Sequence, residues 1–177
     1  MCFDSRSTAS GPRSSATTSV LGPFVRQKSG SGYAVDLPGE PRNVLAALAG
    51  SSIDAMAAER ADTGRLFPPA YPNDPDRELA YRELVGGDLV SGKVASLTVL
   101  RDTAHAATLT DDELDAWLQG LETLRLMIGP APDDVTVDEA LALGDENLAR
   151  HAATMDFLTH LQFLIIDVLD PDDDVEQ

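Results

Sequence analysis

The chain has 177 residues, 43% of them hydrophobic and 24% charged, ordinary values for a chain that folds around one core at a domain size of roughly 100–200 residues. Thirty Asp and Glu oppose 13 Lys and Arg for a net charge of −17, which works against nucleic-acid backbones and anionic lipid, because binding either requires neutralising negative charge. The single cysteine, Cys2, excludes an internal disulfide and a cysteine-based zinc site, both of which need a second thiol.

Residues 1–22 mix Ser, Thr, Gly and Arg without periodicity and cannot bury enough apolar surface to offset the entropy of ordering, so they are expected to form a disordered tail. They contain no apolar run of the roughly 7–15 residues a signal peptide needs. Uninterrupted apolar runs such as Phe163 to Ile166 are far short of the roughly 20 residues of a spanning helix. The expectation is a cytoplasmic protein with no membrane partner.

Phe24–Gln27 and Tyr33–Leu37 flank a Lys28-Ser29-Gly30-Ser31-Gly32 segment and predict a β-hairpin. Tyr33, Val35 and Leu37 alternate with Ala34 and Asp36, giving one apolar face that must lie on helices or on a second copy of the chain, since a lone hairpin is marginal in water. Helical spacing follows. Pro41 suits a first turn, and Val44, Leu45, Leu48, Ile53 and Met56 predict a helix over 41–60, weakened at Gly50-Ser51-Ser52. Four prolines in Leu66–Pro75 then predict an ordered or polyproline-like loop.

Over 76–106, Val90, Val94, Leu97, Leu100 and Ala104 share one face of a predicted helix, in which Gly86-Gly87 costs about 2 kcal/mol against alanines and marks the place for a bend. Thr110 and Glu113 form a capping-box pattern and Gly129-Pro130 a stop, predicting helix 110–129 with Leu114, Trp117, Leu118, Leu121, Leu124 and Ile128 inward. Thr136 with Glu139 opens a short helix that Gly144 ends. The final helix, 147–169, is apolar around nearly its whole circumference from Phe157 to Leu169, the pattern of a bundle centre or a subunit interface. Asp170-Pro171 stops it, and 171–177 is a solvated acidic end. The fold class predicted is mainly α, a helical bundle with a small N-terminal β-hairpin spanning 23–170.

Motifs for chemistry are scarce. Gly87–Val94 approximates a phosphate-binding loop, but Val94 stands where a hydroxyl must reach magnesium and no apolar strand precedes it. His151 and His160 are nine residues apart and fall on opposite faces of one helix, while His105 is assigned to another. Asp111-Asp112 and Asp138-Glu139 are explained by helix capping before acid–base catalysis. Trp117 keeps step with leucines and reads as core. No catalytic, cofactor-binding or metal-binding residue is assigned, and no cofactor is expected.

The segments Arg65-Leu66-Phe67-Pro68-Pro69-Ala70-Tyr71-Pro72 with Asp74 and Pro75, Tyr81-Arg82-Glu83-Leu84, Leu109-Thr110 through Trp117-Leu118 to Leu124-Arg125-Leu126, and Asp156–Gln162 resemble an actinobacterial domain-of-unknown-function family, number two-zero-one-seven, over roughly 24–170. The resemblance implies no activity and no catalytic residues. It implies a gene neighbourhood beside the adaptor that delivers N-degron substrates to the Clp protease, and through it an accessory role in protein turnover.

The expected function is therefore that of a non-enzymatic interaction or regulatory protein with a protein partner or a second copy of itself, and no direct nucleic-acid contact. Phe67, Pro68, Pro69 and Tyr71 in the proline loop, and Phe163 and Ile166 in the last helix, are the candidate interaction residues. The alternative is a small-molecule enzyme or sensor whose site gathers His105, His151 and carboxylates in a bundle cavity. A transcriptional regulator is third and lacks a basic reading helix.

Overall fold

A computed structural model describes residues 24–26, 32–58, 64–130 and 135–169. The expected tail with Cys2, most of the hairpin turn, the Asp170-Pro171 stop and the acidic end lie outside the described residues. Among those described, five helices follow two strands, with a third strand between the second and third helices: β1 Phe24–Arg26, β2 Tyr33–Val35, α1 Gly39–Ala57, α2 Pro75–Thr103, β3 Thr108–Leu109, α3 Asp111–Ile128, α4 Val137–Ala142 and α5 Glu146–Leu169. The mainly α fold with an N-terminal hairpin is as the sequence predicts.

Helix α3 organises the rest. Its capping box is complete: the Glu113 amide donates to Thr110 Oγ1 at 3.2 Å and the Thr110 amide donates back to Glu113 Oε2 at 2.8 Å, satisfying donors that a helix start leaves open. At its far end Gly129 has φ 75° and its amide donates to the Arg125 carbonyl at 2.9 Å, a left-handed closure that glycine tolerates without a Cβ penalty. Between the caps Leu114, Trp117, Leu121 and Leu124 are fully buried, and α3 meets α1, α2 and α5. A Cβ at Gly120 would lie 3.2 Å from Leu100 Cδ2 and 3.3 Å from the Ser96 carbonyl oxygen, so a residue without a side chain sets how closely α2 lies on α3. Trp117 spends its one polar atom on Thr103 Oγ1 at 2.7 Å, and that hydroxyl donates to the Val99 carbonyl at 2.6 Å.

The hairpin pairs antiparallel, Phe24 with Val35 and Arg26 with Tyr33. Its other edge is closed by β3, with Tyr33 opposite Leu109. Two-residue β3 was not predicted, because no periodicity exists at that length. The apolar face settles on the helices: Tyr33 and Val35 are buried and Leu37 packs against the same core. Arg42, in the first turns of α1, locks this corner. Its guanidinium donates to four carbonyls, Leu37 and Val35 at 2.8 Å, Ala104 at 2.8 Å and Ala106 at 2.7 Å, joining β2, α1 and the chain leaving α2.

Several expectations are corrected. The last helix is not the bundle's centre: α5 turns Leu158, Leu161 and Ile165 inward but leaves Phe163 62% and Ile166 48% exposed, because it meets the bundle on one side while α3 is enclosed from several. Val90 does not share the buried stripe of Leu97, Leu100 and Ala104; it is 37% exposed, since the core ends before α2 does. His105 follows the end of α2 and is not helical. Gly86-Gly87 also leaves α2 continuous from Pro75 to Thr103. Finally, α5 reaches the length and mean hydropathy, 1.4, of a membrane-spanning helix, although no uninterrupted apolar run in it is long; α5 meets α3 and α4, and Asp156, His160 and Asp167 face solvent together with Phe163 and Ile166.

Candidate functional site

The site is built where α2 outruns the core. Its last turns bury Ser96, Leu97 and Leu100, but toward its start Leu79 is 60%, Leu84 79% and Leu89 43% exposed. Pro75 in the first turn and Asp74 as cap start this projecting stretch, Asp74 Oδ1 accepting from the Arg77 amide at 3.1 Å. Tyr81, Val85 and Leu89 stand one helical turn apart along it.

The proline loop is clipped onto these turns. Glu78 Oε2 accepts the Tyr71 amide at 2.9 Å while its Oε1 accepts Arg82 Nε at 2.6 Å. Both bonds favour the charged carboxylate, the Arg82 bond most, and hold its pKa below the ordinary value. The Arg77 guanidinium lies 4.1 Å from the centre of the Tyr71 ring, and the Tyr81 ring meets Tyr71 edge to face at 5.8 Å, geometries in which the ring quadrupole attracts its neighbour. Leu66 is buried in the core and Phe67 packs against it.

Between loop and helix lies a groove of about 470 Å³. Leu66, Phe67 and Pro68 form one wall, Tyr81, Val85, Gly86, Leu89 and Val90 the other, and Glu78, Arg82 and Lys93 supply its charges. Such a lining can hold an apolar side chain or a short peptide and fix it at a polar rim. It offers no nucleophile with a base beside it.

The sequence-selected residues separate. Phe67 and Pro68 line the groove, Tyr71 buttresses its loop, and Pro69 is exposed outside the lining. Phe163 and Ile166 stand on α5, an element that contributes nothing to the groove. The Tyr81, Val85 and Leu89 wall was missed; its signal was an apolar stripe at four-residue spacing, out of line with Val94 and Leu97.

The alternative site does not assemble. His151 Nε2 lies 3.0 Å from the Gly129 carbonyl, at the end of α3. His105 lies just ahead of β3, which leads into the start of α3, and the 18 residues of α3 separate the two ends by about 27 Å. His160 is exposed. Among the described residues no three His, Cys, Asp or Glu are placed to hold a metal ion. Gly87–Val94 lies inside α2 with no strand before it, so its amides are committed to the helix and do not form a phosphate-binding loop.

A family model described as a domain of unknown function, DUF2017, matches residues 22–169. No curated protein and no solved structure matches the chain.

Proposed function

The chain belongs to the DUF2017 family, a domain of unknown function, and from its surface we propose that it acts as a non-enzymatic protein-interaction module whose partner docks in the α2 groove. One observation carries the reading: a helix projecting beyond its own core leaves Leu89 and Val90 exposed in the lining of a mostly apolar groove. Exposed apolar side chains that line a groove mark surfaces that another protein covers, and a grooved helix–loop face is a recurrent mode of peptide and helix recognition. The partner is another protein or a second copy of the chain. The Clp adaptor is the first protein to try, on the strength of the gene neighbourhood that the family resemblance implies; no residue contact adds to it.

A photo-crosslinking amino acid placed at position 89, in cells that produce the full chain, tests the reading. Discrete protein adducts from position 89, absent when the same amino acid stands at position 144, are expected. Equal adducts from both positions, or none from either, would overturn it.

A further inference from the structure

A second cleft lies on the other side of the Arg65–Leu66 step, and we infer that it binds a single carboxylate carried on an apolar ligand. The cleft measures about 530 Å³ and is lined by Arg65, Glu122, Arg125, Leu126, Pro130 and Met155. Arg125 donates from its Nη1 to Gln162 Oε1 at 2.6 Å, and its Nε is buried without a partner. Arg65 lies over Gly129, where any Cβ would overlap its guanidinium; the Gly129 carbonyl is engaged by His151.

Among the described residues the ion pairs are Arg82 with Glu78, Lys93 with Glu122, and Arg101 with Asp102. Arg65 and Arg125 are in none of them, although carboxylates outnumber cationic side chains 30 to 13 in this chain. The two guanidiniums line one cleft outside the ion pairs of the described residues, and their N–H groups at its wall are donors that a ligand acceptor would satisfy. The planar fork of a guanidinium matches a carboxylate. Glu122 in the same lining, with a net charge of −17 around it, penalises a dianion more than a monoanion. Leu126, Pro130 and Met155 supply the apolar surface for the body of the ligand.

The proposal is independent of the α2 groove, and its test uses the full chain. Backbone NMR spectra are titrated at constant ionic strength and pH 7.5 with N-acetyl-leucine, N-acetyl-leucinamide and inorganic phosphate. N-acetyl-leucine is expected to shift Arg125, Leu126 and Met155 saturably, with Kd on the order of 1 mM, and the uncharged amide to leave them in place. Arg65→Gln, an exposed position, is expected to weaken binding about tenfold. Arg125→Lys keeps the charge but not the fork and is expected to weaken it severalfold; it decides the matter if Arg65→Gln does not fold. Equal binding of acid and amide, tighter binding of phosphate, unchanged affinity in the folded variants, or no saturable shift would each overturn the proposal.

Discussion

The two ends of α2 are one helix under two regimes. Toward its end, Leu97, Leu100 and Ala104 are fully buried and the helix lies so close to α3 that a Cβ at Gly120 would meet Leu100 at 3.2 Å. Toward its start, nothing stands within 4 Å of a Cβ built at Gly86, Gly87 or Gly92, and the leucines face solvent. Helix propensity cannot explain why the exposed end persists, because two adjacent glycines oppose it. Local ties do: Pro75 and Asp74 at the start, then the Glu78, Arg82, Tyr71 and Tyr81 cluster. One end is held by tertiary burial, the other by short-range polar and aromatic contacts.

That contrast can be broken at several points. Trp117→Ala, in the packed region, removes a fully buried indole and leaves Thr103 without its donor; a loss of about 3–5 kcal/mol is expected in urea unfolding, and a loss below about 1 kcal/mol would show that the core is not where the burial places it. Arg42→Met leaves four carbonyls without their donor and is expected to cost about 3 kcal/mol by the same measurement. Replacing Gly86 and Gly87 together by alanine meets no steric obstacle and is expected to raise stability by about 1–2 kcal/mol; destabilisation would mean that the helix start is not helical in solution. Leu84→Glu, at a position 79% exposed, is expected to shift stability by less than about 0.5 kcal/mol.

The smallest effect is a pH dependence at the loop. Glu78 has its pKa lowered from 4.5, chiefly by the Arg82 bond and then by the Tyr71 amide. A carboxylate with a depressed folded pKa contributes its stabilisation above the unfolded value and loses it as pH falls through the folded one. The Tyr71 amide should therefore stay protected from hydrogen exchange at neutral pH and lose protection below about pH 4.5 faster than acid-corrected intrinsic rates require. Glu78→Gln should remove that extra dependence.

What was legible follows the same division. Thr110 with Glu113 and Thr136 with Glu139 gave the starts of α3 and α4, since a capping box is local chemistry written into four residues. Phe67 and Pro68 were found because prolines between two helical patterns announce a loop. Of the two places expected for α5, the bundle centre fails at Phe163 and Ile166, because apolar content shows that a face is available for packing and not that a neighbour within the chain covers it. The extent of the core along α2 was misread at Val90 for the same reason. Arg65 and Arg125 were not joined, as only packing brings residues so far apart in sequence into one cleft. Strand β3 had too few residues to carry a pattern.

Arg42 has a consequence for the order in which the molecule comes into being. Its acceptors at Ala104 and Ala106 lie 62 and 64 residues downstream, and at a synthesis rate of about 5–20 residues per second they emerge from the ribosome on the order of 3–13 s after it does. Through that interval two of its four acceptors are missing, and the strand it will later clasp has no corner to close against. The N-terminal part of the nascent chain waits for the middle, and the clasp shuts only once the second helix has been made.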